Sequence, residues 1–191
     1  VSPELTPSQT IGPFFHFGLL DEDRSELVPP DHPHAIRIEG TIYDGAGEPV
    51  TDAMVEIWQA NRAGRYNDPT DTREDLPLDP EVFSGFGRSG TTDGGTFSFV
   101  TVKPGPVPTP DGRMQAPHIM VSVFARGLLK RVVTRIYFPD EQEANAGDPV
   151  LASIEDSSLR ETLIARDQGG TLRFDIRLQG EDQTAFFELA D

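Results

Sequence analysis

The chain contains no cysteine. That absence excludes disulfides, thiolate nucleophiles and zinc sites built on sulfur, and it is consistent with a reducing compartment. Positive charge is scarce. Against 32 Asp and Glu stand only 16 Lys and Arg, for a formal net charge of -16 over 191 residues. A chain of that sign repels phosphate backbones and anionic lipid, so nucleic acid and membrane are poor partners; solubility is the plainest meaning of the acidity. No apolar run is long enough to span a bilayer. The opening residues, Val1-Ser2-Pro3-Glu4-Leu5-Thr6-Pro7, have neither the basic nor the apolar region of a secretory signal. The expectation is a soluble, cytoplasmic protein. There is no Gly-rich phosphate loop between a strand and a helix, and no internal repeat.

What the chain does have is short alternation broken by 17 Pro and 18 Gly. Ile36, Ile38 and Ile42 alternate with Arg37, Glu39 and Thr41; Leu172, Phe174, Ile176 and Leu178 alternate with Arg173, Asp175 and Arg177. Both read as half-buried strands, and residues 54–59, 96–102 and 116–124 are further strand candidates. Asp44-Gly45-Ala46-Gly47 and Asp93-Gly94-Gly95 are turn signals. The expected fold class is all-β, an antiparallel β-sandwich with an extended N-terminal arm, long loops and one or two short helices. The helices are placed at residues 140–146 and at Ser158-Leu159-Arg160-Glu161, a capping-box pattern followed by Leu163.

Residues 1–35 differ from the rest. Six prolines disfavour both sheet and helix, yet Phe14, Phe15 and Phe17 cluster around His16. Each phenylalanine gains roughly 1.5–3 kcal/mol if fully buried, so the arm is expected to order against something. Two covers are open, its own sandwich or a partner subunit as well. Residues 36–191 form the sandwich domain in this reading, with a second long loop at 62–86.

The stretch Ala116-Pro117-His118-Ile119-Met120 places His118 and Met120 two apart on one strand face, half of what a His-x-His metal pair would need. Together with Thr6-Pro7-Ser8-Gln9-Thr10-Ile11-Gly12-Pro13-Phe14-Phe15, Val55-Glu56-Ile57-Trp58-Gln59-Ala60-Asn61, Gly64-Arg65-Tyr66, Val102-Lys103-Pro104-Gly105-Pro106 and Arg173-Phe174-Asp175-Ile176, it resembles the intradiol ring-cleaving dioxygenases. The markers span nearly the whole chain in the family's order. The resemblance implies a sandwich related to two-chain members of the family, in which a beta chain holds a non-haem Fe(III) on two tyrosines and two histidines. Position by position, Tyr66 matches the first tyrosine and His118 the first histidine, while Val107 and Met120 stand where the second of each belongs. An arginine preceding the histidine pair in the beta chain is here replaced by Met114-Gln115. Fe(III) is hard and thioether soft, and valine has no donor. The resemblance therefore implies no metal ligand and no catalytic residue in this chain. Its Fe(III) would sit on a homologous beta chain in an (alpha-beta)n hetero-oligomer, acting on protocatechuate and O2.

The same resemblance points to Thr10, Gly12, Pro13 and Arg126 as substrate-binding residues lining the partner's pocket. Part of this has independent support. No Asp or Glu falls between Gly112 and Pro139, where the chain average predicts about five, while Arg113, Arg126, Lys130, Arg131 and Arg135 all do. Either core strands simply exclude carboxylates, or a positive field draws in a carboxylated catechol. Gly12-Pro13 is equally readable as a plain turn. Two other functions stay open at this level: a binding module on the same sandwich, and a stand-alone metalloenzyme using other ligands among Tyr43, Tyr66 and Tyr137.

Overall fold

The computed structural model describes residues 10, 12, 17–22, 24–78 and 83–188. Two sheets face each other. The first is built on β1 (Ala35–Tyr43), with antiparallel β4 (Thr96–Val102) along one edge and β10 (Thr171–Arg173) and β11 (Ile176–Arg177) along the other; β9 (Arg166–Gln168) extends β10. The second runs β3 (Phe86–Gly90), β2 (Met54–Trp58), β7 (His118–Phe124), β8 (Val132–Tyr137), antiparallel throughout. A two-residue ribbon pairs β5 (Val107–Pro108) with β6 (Met114–Gln115).

Period-2 burial explains the sandwich. Ile38 and Ile42 of β1, Phe97 and Phe99 of β4, Val55 and Ile57 of β2, and Ile119, Val121 and Val123 of β7 all point into one core cluster. Phe97 and Phe99, centroids 6.1 Å apart at 56°, fill its middle. Asp44 caps the first turn by accepting from the Ala46 and Glu48 amides, and Gly95 closes the second with its amide on the Thr92 carbonyl.

Four features depart from expectation. The run 172–178 is not one strand: β10 and β11 flank Asp175, whose carboxylate accepts the Thr41 amide at 2.9 Å in place of a backbone carbonyl. Both pieces lie parallel to β1, so the first sheet is mixed. The described residues contain three short helices after β8, not one or two: α1 (Gln142–Gly147), α2 (Pro149–Ser153) and α3 (Ser157–Glu161). The N-cap of α3 is Asp156, which accepts from the Ser158 amide, so the expected capping box starting at Ser158 does not form.

The described part of the arm straps both sheets. The Arg88 amide bonds the Arg24 carbonyl, the Val100 amide bonds Ser25, and the Leu27 amide bonds Val100. Leu27 and Val28 join the core. Of the phenylalanine cluster, Phe17 is 73% exposed, whereas Phe14 and Phe15 lie outside the described residues.

Candidate functional site

Alternation in β7 sends Ile119, Val121 and Val123 into the core and leaves His118 and Met120 on the opposite face of the second sheet. Register carries that outer face across three strands: Trp58 of β2 opposes Met120, and Met120 opposes Arg135 of β8. His118 opposes Tyr137, with ring centroids 5.7 Å apart. The loop after β2 brings Tyr66 over the same face, where it stacks on Trp58 at 5.9 Å and 10°.

That loop needs its glycine. Gly64 has φ +83° and a Cβ there would lie 2.2 Å from the Pro106 carbonyl oxygen, so only glycine lets the Tyr66 loop close on the 102–107 segment. Asn61 completes the turn, its side-chain oxygen accepting the Ala63 and Arg65 amides at 3.0 Å each. The Tyr66 amide is held by Asp71 at 2.8 Å, and the bond from Arg73 keeps the Asp71 carboxyl well below the usual range.

His118 is 4% exposed. Its Nδ1 donates to the Ala116 carbonyl at 2.8 Å, since a carbonyl can only accept. Burial above all, with the positive charge of Arg135, lowers its pKa to about 4, so the imidazole is neutral. Asp148, fully buried, organises the floor. One carboxylate oxygen accepts the Val150 and Leu151 amides and so caps α2; the same oxygen takes the Tyr137 hydroxyl at 3.2 Å. The other accepts the Ala116 amide at 2.8 Å, which fixes the entry to β7. Burial raises the Tyr66 and Tyr137 phenols above their ordinary value.

Arg135 occupies the middle of this face. Its Nε reaches the Met120 sulfur at 3.1 Å, and one Nη donates to Gln115 at 2.8 Å and to the Tyr137 hydroxyl at 3.2 Å. Its guanidinium carbon lies 5.7 Å from the Phe187 ring centroid. Sequence reading counted Arg135 only as one of several basic residues. The signal that it turns inward was register, which sets it directly across from Met120.

Two of the predicted substrate residues, Thr10 and Arg126, lie elsewhere, at the turn after β7. The Thr10 hydroxyl donates to the Ala125 carbonyl at 3.3 Å, which brings it beside Arg126. Arg126 is 80% exposed in its side chain and pairs with Asp52 at 3.0 Å. A Cβ at Gly12 would meet nothing within 4 Å, so no close approach within the described residues demands glycine there. Pro13 lies outside the described residues.

A family model described as Dioxygenase matches residues 12–180. This chain is an intradiol dioxygenase family member. Among curated proteins, the protocatechuate 3,4-dioxygenase alpha chain of Pseudomonas putida is 43% identical over 96% of this chain and 96% of its own length. The beta chain of that enzyme from Burkholderia cepacia is 38% identical over 87% of this chain and 75% of its own. The solved dioxygenase domain of a carbohydrate-binding fusion from Streptomyces sp. SirexAA-E superposes with a TM-score of 0.55, at 25% identity, over 92% of this chain and 99% of that one.

Intradiol dioxygenases work through Fe(III). The sequence resemblance assigns Tyr66, Val107, His118 and Met120 to the iron-ligand positions. They do not fit the ion. Val107 offers no donor and Met120 a soft one, and Met120 already accepts from a guanidinium that cannot lose its proton.

Proposed function

We propose that this chain is the iron-free alpha subunit of an intradiol dioxygenase that opens protocatechuate. A homologous beta chain carries the Fe(III), and the two assemble as an (alpha-beta)n complex in the cytoplasm. The complex inserts both atoms of O2 into 3,4-dihydroxybenzoate between the hydroxyls, giving 3-carboxy-cis,cis-muconate. The observation that carries this reading is the chemistry at the ligand positions: the chain keeps the family's architecture around Tyr66 and His118 but has a donorless Val107 and an Arg135-bound Met120.

This chain's contribution is then to shape the neighbouring pocket. Arg126 is exposed at a turn that also holds Thr10, suitably placed for an anionic substrate or a partner chain. Gly12 and Pro13 belong to the same pocket wall in this proposal, and residues 1–35 are the arm that reaches the partner while 36–191 form the sandwich.

The test is Arg126→Ala in the assembled complex. A hydrogen bond to a charged group contributes about 1.5–3 kcal/mol, and the exposed placement of Arg126 puts the effect at the low end, about tenfold in KM. Iron content and kcat stay as they were. Asp52→Asn releases Arg126 from its ion pair and moves KM the other way. An unchanged KM in both variants refutes the assignment of Arg126.

A further inference from the structure

We propose that a polar cavity beside the break between β10 and β11 is a binding site for a small aliphatic monocarboxylate that carries hydroxyl groups, with Arg166 and Arg177 as its anion-binding residues. The cavity measures about 390 Å³ and lies between the end of α3, strands β9 to β11 and residues 182–184. None of its lining belongs to the Tyr66 face or to the turn that carries Arg126. Side chains tie its walls together. The Thr184 hydroxyl oxygen accepts the Arg177 amide at 2.9 Å, and the Thr162 hydroxyl oxygen accepts the Ala185 amide at 3.0 Å.

Strand register concentrates positive charge here. Arg166 of β9 and Arg173 of β10 are directly opposed in an antiparallel pair, so both side chains leave the same sheet face, and both line the cavity. Like charges in that arrangement repel. Arg173 is balanced: it pairs with Asp175 at 2.5 Å and donates to the Thr41 hydroxyl at 2.7 Å. Asp175 is committed there, since the same carboxylate oxygen accepts the Thr41 amide. Among the described residues, neither Arg166 nor Arg177 pairs with a carboxylate. The Arg177 guanidinium lies 4.8 Å from the Tyr43 ring centroid, a contact that uses its face and none of its N–H donors. Two such arginines in one cavity, in a chain with 32 acidic and 16 basic residues, call for an anion. The cavity also dictates what else that anion carries. Glu161 and Asp182 line it, exposed and unpaired with these arginines among the described residues. Both are acceptors only. A bare or multiply charged oxyanion meets their repulsion. A monocarboxylate with its own hydroxyls satisfies both sets of groups, its carboxylate accepting from arginine and its hydroxyls donating to Glu161 and Asp182. Apart from Ile164 and Phe174 the lining is polar or charged, so an aliphatic skeleton suits it better than an aromatic ring.

The inference stands apart from the subunit reading, which uses none of these residues. Binding to the full chain is measured by isothermal titration calorimetry in a buffer free of carboxylate and phosphate. Gluconate is the probe; acetate, glucose and inorganic phosphate are the comparisons. Gluconate binds. Acetate, which lacks the hydroxyls, glucose, which lacks the charge, and phosphate each bind about tenfold more weakly or worse. R166Q weakens gluconate binding by about tenfold or more, as the loss of a hydrogen bond between charged groups predicts. R113Q, which removes a charge paired with Asp111 outside the cavity, leaves it unchanged. The repulsion across β9 and β10 has its own readout in thermal unfolding. Unliganded R166Q melts at or above wild type, because it relieves that repulsion, and gluconate raises the midpoint of wild type more than that of the variant. The proposal is overturned if gluconate does not bind, if acetate, glucose or phosphate binds as tightly, if R166Q binds gluconate as wild type does, or if R113Q weakens binding as much as R166Q. An unliganded R166Q that melts below wild type overturns it too, since Arg166 would then be held by the fold and not kept free for a ligand.

Discussion

Acid should weaken this fold through one histidine. His118 is buried against Tyr137 with its Nδ1–H on the Ala116 carbonyl, and it titrates at about 4. In the unfolded chain an ordinary histidine titrates near 6.5. The folded pKa is therefore the lower one, so the unfolded state binds the proton first as the pH falls. The contribution is intact above 6.5 and is lost progressively between 6.5 and about 4. A gap of that size amounts to about 2 kcal/mol of lost stability by pH 5, and roughly 3 kcal/mol once the folded form also titrates. The assay is urea unfolding at a series of pH values for wild type and for His118→Asn, whose amide can replace the Nδ1 donor but cannot take a proton. Carboxylate titrations are common to both proteins and cancel in the difference. The wild type loses about 2 kcal/mol more than the variant between pH 7 and pH 5. Equal pH slopes would refute the burial and neutrality assigned to His118.

Two further outcomes concern the scaffold of the site. Gly64→Ala places a side chain at φ +83° and against the Pro106 carbonyl, so it lowers stability by about 2 kcal/mol or more and loosens the Tyr66 loop, seen as faster proteolysis between residues 62 and 78. A variant as stable as wild type contradicts the closure described. Asp148→Asn keeps one acceptor for the α2 amides and the Tyr137 hydroxyl but turns a donor toward the Ala116 amide, costing about 1–3 kcal/mol in thermal or urea unfolding.

The strands were legible where one face is apolar and the ends are punctuated. Residues 96–102 alternate Phe97 and Phe99 between Gly95 and Pro104, and β4 follows those limits. The strand expected at 54–59 stops one residue short, and the one expected at 116–124 starts at His118. Alternation carries no information on chain direction, so the parallel pairing of β10 and β11 with β1 was not readable. Nor was the break at Asp175, because a side chain there substitutes for a backbone acceptor. The strand Phe86–Gly90 was missed: two glycines in five residues hide its pattern, and its order comes from pairing with β2. At the site, the resemblance implied donors missing at Val107 and Met120, and nothing in the sequence signalled the side chain that contacts Met120. Arg135 looked like one charge among several until cross-strand register set it against Met120.

The measurement that bears most directly on the account is iron content and ring-cleavage activity of this chain expressed alone and co-expressed with a homologous beta chain. The account predicts no iron and no activity in the isolated chain, and both in a co-purifying complex. Stoichiometric iron in the isolated chain, with a visible tyrosinate absorption, would contradict it.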